Sequence, residues 1–422
     1  MIRRLRVVRV LRVWLALVRV VPRYLLLQLR ERSGRRPPGP ADWNRAHDAA
    51  AREVERIALA YAGAFTKAAQ VLGARADVFP APFIERLGQF HDAVPPRPFA
   101  RLAPLVERDL GRPLHEVFAS IEPEALAAAS LAQVHRATLH DGRQVVIKIQ
   151  YPEIRRIIPL DLGMLRRVVA LVQRIQRRID LRSLVGEVTR FIELELDFPR
   201  EAESTERIAK TLADVPDVVV PRVYRELCGE RVLVLEYLDG IPVGRTAELV
   251  AAGHSLAKVA RTIGHLYGAM MFEHDFFHGD PHPGNLLVLR DGRIGLLDFG
   301  LCKELPPGFA HRLAHMMVSA MIGDTRSALA AAEALGFDTS EIRPEHLRSL
   351  ALMTVGDSDG ETSFFDVVGG SRFRRIPEHF ALVARTMVLL NGLSHRLLPG
   401  RRLIQAELLK HLAAGAARQA AA

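Results

Sequence analysis

The chain predicts an α+β fold of two or three structural units, with a helical stretch ahead of a β-hairpin. Three observations carry this. Its 422 residues, 49% hydrophobic and 25% charged, suffice for two or three structural units with a large core. The stretch Ala41 to Leu72 is rich in Ala, Glu and Arg with helical spacing. Residues Leu131 to Gln150 read as two strands around a His140-Asp141-Gly142 turn. This composition excludes a disordered chain and a multi-span membrane protein. Cys228 and Cys302, far apart and without a CxxC, argue against a disulfide scaffold and a thiolate zinc site.

The first element is a basic amphipathic leader, residues 1–40. The formal net charge is +10, and arginine supplies nearly all of the positive side, since lysine occurs only at 67, 148, 210, 258, 303 and 410. Uncharged stretches of the leader such as Val13 to Val18 fall far short of a roughly 20-residue membrane span. On a helical wheel Arg9, Arg12, Arg19, Arg23 and Arg30 form one stripe, and Leu11, Trp14, Leu15, Val18, Leu25 and Leu29 fill the remainder. That pattern suits a helix in an anionic headgroup layer; a helix packed on the body of the protein is the alternative. Pro22 is a candidate kink. Arginine recurring through the apolar part argues against a secretory signal, and sparse aromatic residues argue against nucleic acid as a partner.

A Pro/Gly/Ser/Arg break at 33–40 leads into the helical extension, residues 41–115, where Ala41 to Leu72 reads as one long helix with Lys67 and Gln70 on a common face. By themselves these two are an ordinary solvated pair. Two Pro-rich loops follow, around Pro80 to Pro82 and Pro95 to Pro98. In the strand-rich lobe, 116–240, the second hairpin strand places Lys148 with Val146 opposite Val145, Ile147 and Ile149. A strand lysine so placed either points to solvent at an edge or meets an anion.

In the helical lobe, 241–400, Phe276-Phe-His-Gly-Asp-Pro-His-Pro-Gly-Asn285 carries a carboxylate and an amide five positions apart, and Ile294-Gly-Leu-Leu-Asp-Phe-Gly300 supplies a second carboxylate after a strand-like run. Phosphoryl transfer needs a divalent metal held by a carboxylate and an amide oxygen, with another carboxylate near the attacking hydroxyl or water; Asp298, Asn285 and Asp280 fill these roles. Each residue alone is a turn or cap group. His278 and His282 read as backbone braces and Cys302 as packing. The alanine-rich end of the 401–422 tail, Ala413 to Ala422, reads as a frayed terminus.

This ordered set resembles the protein-kinase-like superfamily, and further motifs narrow the resemblance to the UbiB/ABC1 (coenzyme Q8 or ADCK) family of atypical kinases. These are Lys67-Ala-Ala-Gln70 followed by VLGARADVFPAPFIERLGQFHDAVPPRPF, then AAASLAQVHRA, Glu195-Leu-Asp-Phe-Pro-Arg-Glu-Ala202, HGDPHPGN and LDFG. The resemblance implies a two-lobed kinase-like fold, a small strand-rich lobe followed by a helical one with helical pieces appended at both ends, binding ATP or ADP with Mg2+. It implies that Lys148 contacts the α- and β-phosphates with Glu201, in the helix after it, as ion-pair partner. The segment Leu126, Ala127, Ala128, Ala129, Ser130, Leu131, Ala132, Gln133 and Val134 takes the place of a Gly-rich loop. By the same resemblance the backbone of Glu236 and Leu238 would hold adenine, Asp280 is similar to the catalytic aspartate, and Asn285 and Asp298 to the metal ligands. Lys67, with Gln70, lies near Glu195 and Asp197 over the nucleotide cleft, where a protein substrate would otherwise bind.

Three departures stand out: Ala69 replaces the motif glycine, Ser204 stands where asparagine is common, and the two membrane spans that often end bacterial members are not expected here. No Ala-Pro-Glu follows Asp298-Phe-Gly300, and Leu301 to Pro307 is short for an activation segment. The resemblance implies an atypical Mg-dependent kinase or ATPase supporting biosynthesis of a prenylated quinone such as ubiquinone, with quinone-biosynthesis proteins or lipid precursors as partners. The expected location is cytoplasmic and peripheral on the inner face of the cell membrane. A nucleotide-dependent switch or lipid-binding chaperone is the alternative, and a small-molecule phosphotransferase a third, in which Lys67 and the Glu195/Asp197 pair have no place.

Overall fold

The computed structural model describes residues 2–34, 37–61, 63–73, 79–88, 95–175, 181–339, 347–348 and 377–421. Residues 74–78 and 89–94 of the long family signature lie outside the described residues, as do 35–36 of the predicted break. Packing divides the chain into two compact units, Met1–Gly142 with Ile147–Asp197, and Arg143–Val146 with Phe198–Ala422.

The first unit begins with α1 (Ile2–Ser33), α2 (Pro40–Tyr61), α3 (Gly63–Gly73) and α4 (Ala81–Leu87). The single helix expected over Ala41 to Leu72 is therefore two. Gly63 has φ +56°, a left-handed backbone that starts α3 in a new direction. Helices α2, α3 and α4 close around Ala50, Ala51, Ala58, Ala69, Phe83 and Leu87. Ala69 is fully buried there, so the methyl that departs from the family pattern is accommodated as core. The close approach is made instead by Gly73: a Cβ at this position would sit 2.5 Å from the Gly88 nitrogen and closer still to the Leu87 carbonyl carbon.

Helix α1 runs unbroken through Pro22. Of the arginine stripe, Arg9 is buried with Val13, Ala16 and Leu27 on the face turned to the protein, whereas Arg12, Arg19 and Arg23 are exposed and Arg30 is half-buried. Arg9 places Nη2 2.6 Å from Asp161 Oδ2 and donates also to the Tyr61 carbonyl. Arg19 and Arg30 each lie 3.6 Å from a carboxylate of α2, Glu53 and Asp42. These carboxylates offer three of the guanidiniums partners within the fold, and apolar residues of the helix are exposed beside Arg12, Arg19 and Arg23. Leu11, Trp14, Leu15, Val18, Leu26 and Leu29 are 43% to 65% exposed.

The short helices α5 (Ala103–Leu110) and α6 (Leu114–Val117) lead into strands β1 (Phe118–Ala128), β2 (Ala132–Leu139) and β3 (Gln144–Gln150), in the order β1-β2-β3. The expected hairpin is β2-β3. Strand β1, antiparallel to β2 with three register shifts, has no sequence counterpart above, because Glu122-Pro-Glu124 and the alanines break any alternation. In β3, Val145, Ile147 and Ile149 are fully buried and Lys148 shares the half-buried face with Val146. Helices α7 (Ile154–Ile175) and α8 (Leu181–Glu195) complete the unit, and Asp161 lies on α7.

In the second unit, α9 (Phe198–Thr211), β4 (Val218–Val219), β5 (Val232–Glu236), β6 (Gly240–Pro242) and α10 (Thr246–Ala251) precede α11 (Leu256–Gly268), which continues as a π turn over Ala269–Glu273. Strands β7 (Phe276–His278), β8 (Leu286–Leu289), β9 (Ile294–Leu296) and β10 (Cys302–Glu304) follow. Helices α12 (Phe309–Ile322), α13 (Thr325–Ala334), α14 (Glu378–Leu397) and α15 (Leu403–Ala421) end the unit. One sheet has the order β4-β9-β8-β6, and β7 pairs with β10. Tyr267, Phe272, Phe277, Phe299 and Phe309, all buried, form the middle of the core. Helix α15 corrects the expectation of a frayed tail. Glycines let it approach the core closely: a Cβ at Gly264 would lie 2.6 Å from the Ile404 carbonyl oxygen, and one at Gly415 would overlap the carbonyl of Phe272.

Two stability predictions follow from the first unit. Burial raises the Asp161 carboxyl to about 6 against the opposing pull of Arg9. The folded state therefore binds this proton more tightly than the unfolded chain, and the associated stability is present at low pH and lost as pH rises from about 4 to about 6. Asp161→Asn should remove that loss, on the order of 2–3 kcal/mol, from urea-unfolding curves measured at pH 4 and pH 7; equal pH slopes in the two proteins would refute it. Replacing a helical glycine by alanine ordinarily stabilises by about 0.5–1 kcal/mol. At Gly73 the backbone of Leu87 and Gly88 reverses the sign, and Gly73→Ala should destabilise by about 1–3 kcal/mol in the same assay.

Candidate functional site

The second unit builds its site from two loops. Strand β7 ends at His278, and the next residues, Gly279 and Asp280, open a loop that closes at Asn285, where β8 begins. Within it the amides of His282 and Asn285 donate to the carbonyls of Asp280 and His282 at 2.7 and 2.8 Å. Asn285 turns its Nδ2 onto the Asp280 side chain, 3.0 Å from Oδ2 and 3.2 Å from the backbone oxygen. An amide that donates from nitrogen in this way keeps its oxygen for another partner. The second loop leaves β9 and carries Asp298 at φ +57°. This strained, left-handed aspartate is held by a local turn, with the Gly300 amide 3.3 Å from Asp298 Oδ1.

His278 joins the two loops. It is fully buried, with Nε2 2.7 Å from the Asp298 carbonyl and 3.1 Å from that of Leu297. Carbonyls only accept, so Nε2 carries the hydrogen and a neutral ring accepts the Tyr267 hydroxyl at Nδ1, 2.9 Å away. Burial, reinforced by the Asp280 carboxylate, pushes the Tyr267 phenol well above its usual range, so it stays a donor. The brace expected of His278 is thus found. The brace expected of His282 is smaller: its Nδ1 accepts the Gly284 amide at 3.2 Å.

Glu201 lies on α9, buried at 2% exposure. That helix is the third after β3 and not the next, because α7 and α8 intervene. A Cβ on Gly300 would lie 3.4 Å from Asp298 Oδ1 and 3.9 Å from Glu201 Oε2, in ordinary van der Waals contact, so the two carboxylates flank this glycine. Burial, then Glu201 and Asp298, push the Cys302 thiol far above its usual range. It is a packed thiol and no nucleophile. Ser204, 7% exposed, lies in the buried face of α9.

A divalent cation fits these residues: the free side of the Asn285 amide and the Asp298 carboxylate are oxygen donors of the kind Mg2+ takes. Mg2+ commonly uses one or two protein carboxylates and completes its shell with phosphate and water. Among the described residues no group of three or more His, Cys, Asp or Glu side chains gathers into an all-protein cage.

After β5, the Glu236 amide donates to the Arg222 carbonyl at 2.9 Å and its carboxylate accepts the Arg222 amide at 3.1 Å. Of the backbone groups expected to hold adenine there, the Glu236 amide is thus spent within the fold. The Tyr237 amide donates to Gln144, and Leu238 is buried among Leu287 and Leu289.

The first unit holds the remaining expected residues. Leu126 to Val134 spans the end of β1, the turn at Ala129 to Leu131 and the start of β2, with the Ala129 amide 2.8 Å from the Ala132 carbonyl. Gln133 is committed elsewhere: it exchanges two hydrogen bonds with the backbone of Arg97, at 2.9 and 3.0 Å, and a third contact with His135. His135 in turn meets the Glu122 carbonyl. Gln133 and His135 thus pin the Pro95–Pro98 segment and β1 to β2, a role with no signal in local sequence spacing. On α3, Lys67 forms an ion pair with Glu195, the lysine 9% exposed. Gln70 is half-buried on the same helix. Buried Gln150, at the end of β3, donates to the Leu196 carbonyl at 2.7 Å and so ties the Lys148 strand to the turn between Glu195 and Asp197. Lys148 belongs to this unit and Glu201 to the other.

Among the described residues no helix is long and apolar enough to cross a membrane. Comparison with known proteins now adds to the geometry. AarF domain-containing protein kinase 1 of Xenopus tropicalis is 35% identical over 271 residues, which cover 63% of this chain and 52% of that protein. Protein ACTIVITY OF BC1 COMPLEX KINASE 1, chloroplastic, of Arabidopsis thaliana is 33% identical over 376 residues, 84% of this chain and 54% of that protein. The chain spans about half the length of these curated relatives. A solved structure, the complex of Rv3197 with erythromycin from Mycobacterium tuberculosis, superposes with a TM-score of 0.56 at 26% identity, covering 72% of this chain and 84% of that one. The model of the ABC1 atypical kinase-like domain matches residues 89–332, more than half of the chain and all of the site residues but Lys67 and Gln70. The chain belongs to the ABC1 atypical kinase-like family.

Proposed function

We propose that this kinase-like protein binds ATP with Mg2+ and transfers its terminal phosphoryl group to water or to a small lipid-like acceptor, in support of prenylated-quinone biosynthesis at a membrane surface. The observation that carries the reading is the Asp280–Asn285 pair: the amide nitrogen orients the carboxylate and leaves the amide oxygen for a cation. In this reading Asn285 and Asp298 would hold the metal, which would supply positive charge against that of the phosphoryl group. Asp280 accepts the proton of the attacking hydroxyl or water. Lys148 contacts the α- and β-phosphates and Glu201 keeps it oriented. The Glu236 carbonyl and the Leu238 backbone receive adenine, and the alanine turn at 126–134 covers the phosphates. The alanine methyls there hold the backbone farther from phosphate than glycine would, which favours slow turnover. Lys67, tied to Glu195 beside Asp197 and Gln70, supports a small acceptor over a protein one. The quinone pathway rests on the family resemblance, and surface attachment on the exposed apolar face of α1.

Purified full-length chain should hydrolyse ATP in a Mg-dependent manner, and Asp280→Asn and Asp298→Asn should each lower turnover by about 100-fold or more. Wild-type turnover indistinguishable from both variants would favour the nucleotide-dependent switch. Asp280→Asn restoring quinone production in cells lacking the protein would favour it too. For the membrane part, the triple variant Trp14→Ser, Val18→Ser, Leu29→Ser should lose most of its recovery with floated vesicles while keeping its melting temperature. Equal recovery of variant and wild type would defeat attachment through this face.

A further inference from the structure

One strong contact of the site comes from outside the span matched by the family domain. Helix α14 presents two consecutive residues to the loop after β7. Arg385 Nη2 lies 2.9 Å from Asp280 Oδ1 and its Nη1 3.5 Å from the Gly279 carbonyl. Fully buried Thr386 places its hydroxyl 3.2 Å from the same carbonyl. The domain match ends at residue 332, and α14 starts at Glu378. Its far end is itself fixed by polar contacts to α15, where Gln405 bonds both Ser394 and Asn391 at 3.0 and 2.7 Å.

The two oxygens of Asp280 are therefore held from opposite sides, Oδ2 by the neutral amide of Asn285 and Oδ1 by the Arg385 guanidinium. With Asn285 alone, the carboxylate could swing about its last torsion, a broad and soft rotor. With both, its plane is set, as is the direction in which its remaining lone pairs point. The pair is not sealed in the core: the Arg385 side chain is 38% exposed and that of Asp280 25%, so a ligand can reach the carboxylate.

We propose that Arg385 is a positioning residue for phosphoryl transfer, acting through Asp280; this rests on the function proposed above. In the step it serves, the attacking oxygen bonds to the γ-phosphorus and the bond from that phosphorus to the β,γ-bridging oxygen breaks, releasing ADP. The proton of the attacking hydroxyl or water passes to Asp280. An oxygen lone pair of Asp280 must face that proton, and misalignment acts on the chemical step more than on nucleotide binding.

The test is steady-state Mg-ATP hydrolysis by full-length wild type, Arg385→Ala, Arg385→Lys and Asp280→Asn, with melting temperatures as a control on folding. Arg385→Ala should lose about 10- to 100-fold in kcat with KM for ATP within about threefold, and Arg385→Lys should fall between it and wild type. Guanidinium chloride at tens of millimolar should restore part of the turnover of Arg385→Ala and none of that of Asp280→Asn. If Arg385→Ala does not fold, Arg385→Lys against wild type carries the same split. An active wild type with unchanged or raised kcat in the folded variants overturns the inference alone, as does a loss that appears only in KM and is not rescued. A wild type without turnover overturns the functional reading, and the role of Arg385 falls with it.

Discussion

The buried imidazole of His278 connects the two loops that carry the carboxylates of the second unit. Asp280 follows it by two positions in the chain, and Asp298 is bound to it through its own backbone carbonyl. Because Asp298 stands in a left-handed conformation, its backbone needs outside support to persist, and His278 supplies it from a fully buried position. The pairing of β7 with β10 brackets the same point, since the Gly279 amide donates to the Leu301 carbonyl at 2.7 Å. The spacing of the two carboxylates is thus set by strand pairing and one ring, not by their own side chains. Buried polar groups that are all partnered act in this way, as rigid connectors.

The first unit repeats the device with amides. Gln133 and Gln150 are each 1% exposed, and both spend their side chains on backbone groups of other segments. Neither has a charge to keep solvated, so the desolvation cost of burying them is modest once bonded. The ion pair of Lys67 with Glu195 is different, because it holds two charges that are only partly shielded from water. Its value lies in register: it fixes the face α3 presents to the end of α8.

Most of the second-unit site was legible in the chain because its residues are close in sequence. Asp280 and Asn285 share one loop, Asp298 follows a short strand, and turns of this length impose their own geometry. What escaped reading was set by distant partners. Arg385 meets Asp280 across 105 positions, with nothing in the local pattern of α14 to mark it. Strand β1 escaped because its pairing with β2 survives three register shifts that periodicity cannot represent. The break before α3 turned on the single backbone angle at Gly63, and a glycine within a helical pattern is compatible with continuation. Gln133 lay inside a segment read as nucleotide-binding, yet alternation along β2 directs its side chain away from the face shared by Val134.

Helix α1 shows why an amphipathic wheel fixes two faces and leaves open which one the protein takes. An arginine stripe beside an apolar stripe is satisfied equally by headgroups or by carboxylates of the same chain. Here Asp161 takes Arg9 inward, and Glu53 and Asp42 approach Arg19 and Arg30, which keep much of their exposure. Asp161 is buried deeply enough for its carboxyl to sit near 6 even beside Arg9, so the pair is held in place by the surrounding fold and not by its own attraction. The outward surface then joins apolar residues, Trp14 among them, to the exposed Arg12, Arg19 and Arg23. The share of any association carried by its apolar residues is driven by burial of hydrocarbon and depends weakly on salt, whereas the share carried by the exposed arginines weakens steeply as the Debye length shrinks. One charge of the stripe, Arg9, is used inside the fold to orient the helix, while Arg12, Arg19 and Arg23 stay exposed beside its apolar residues.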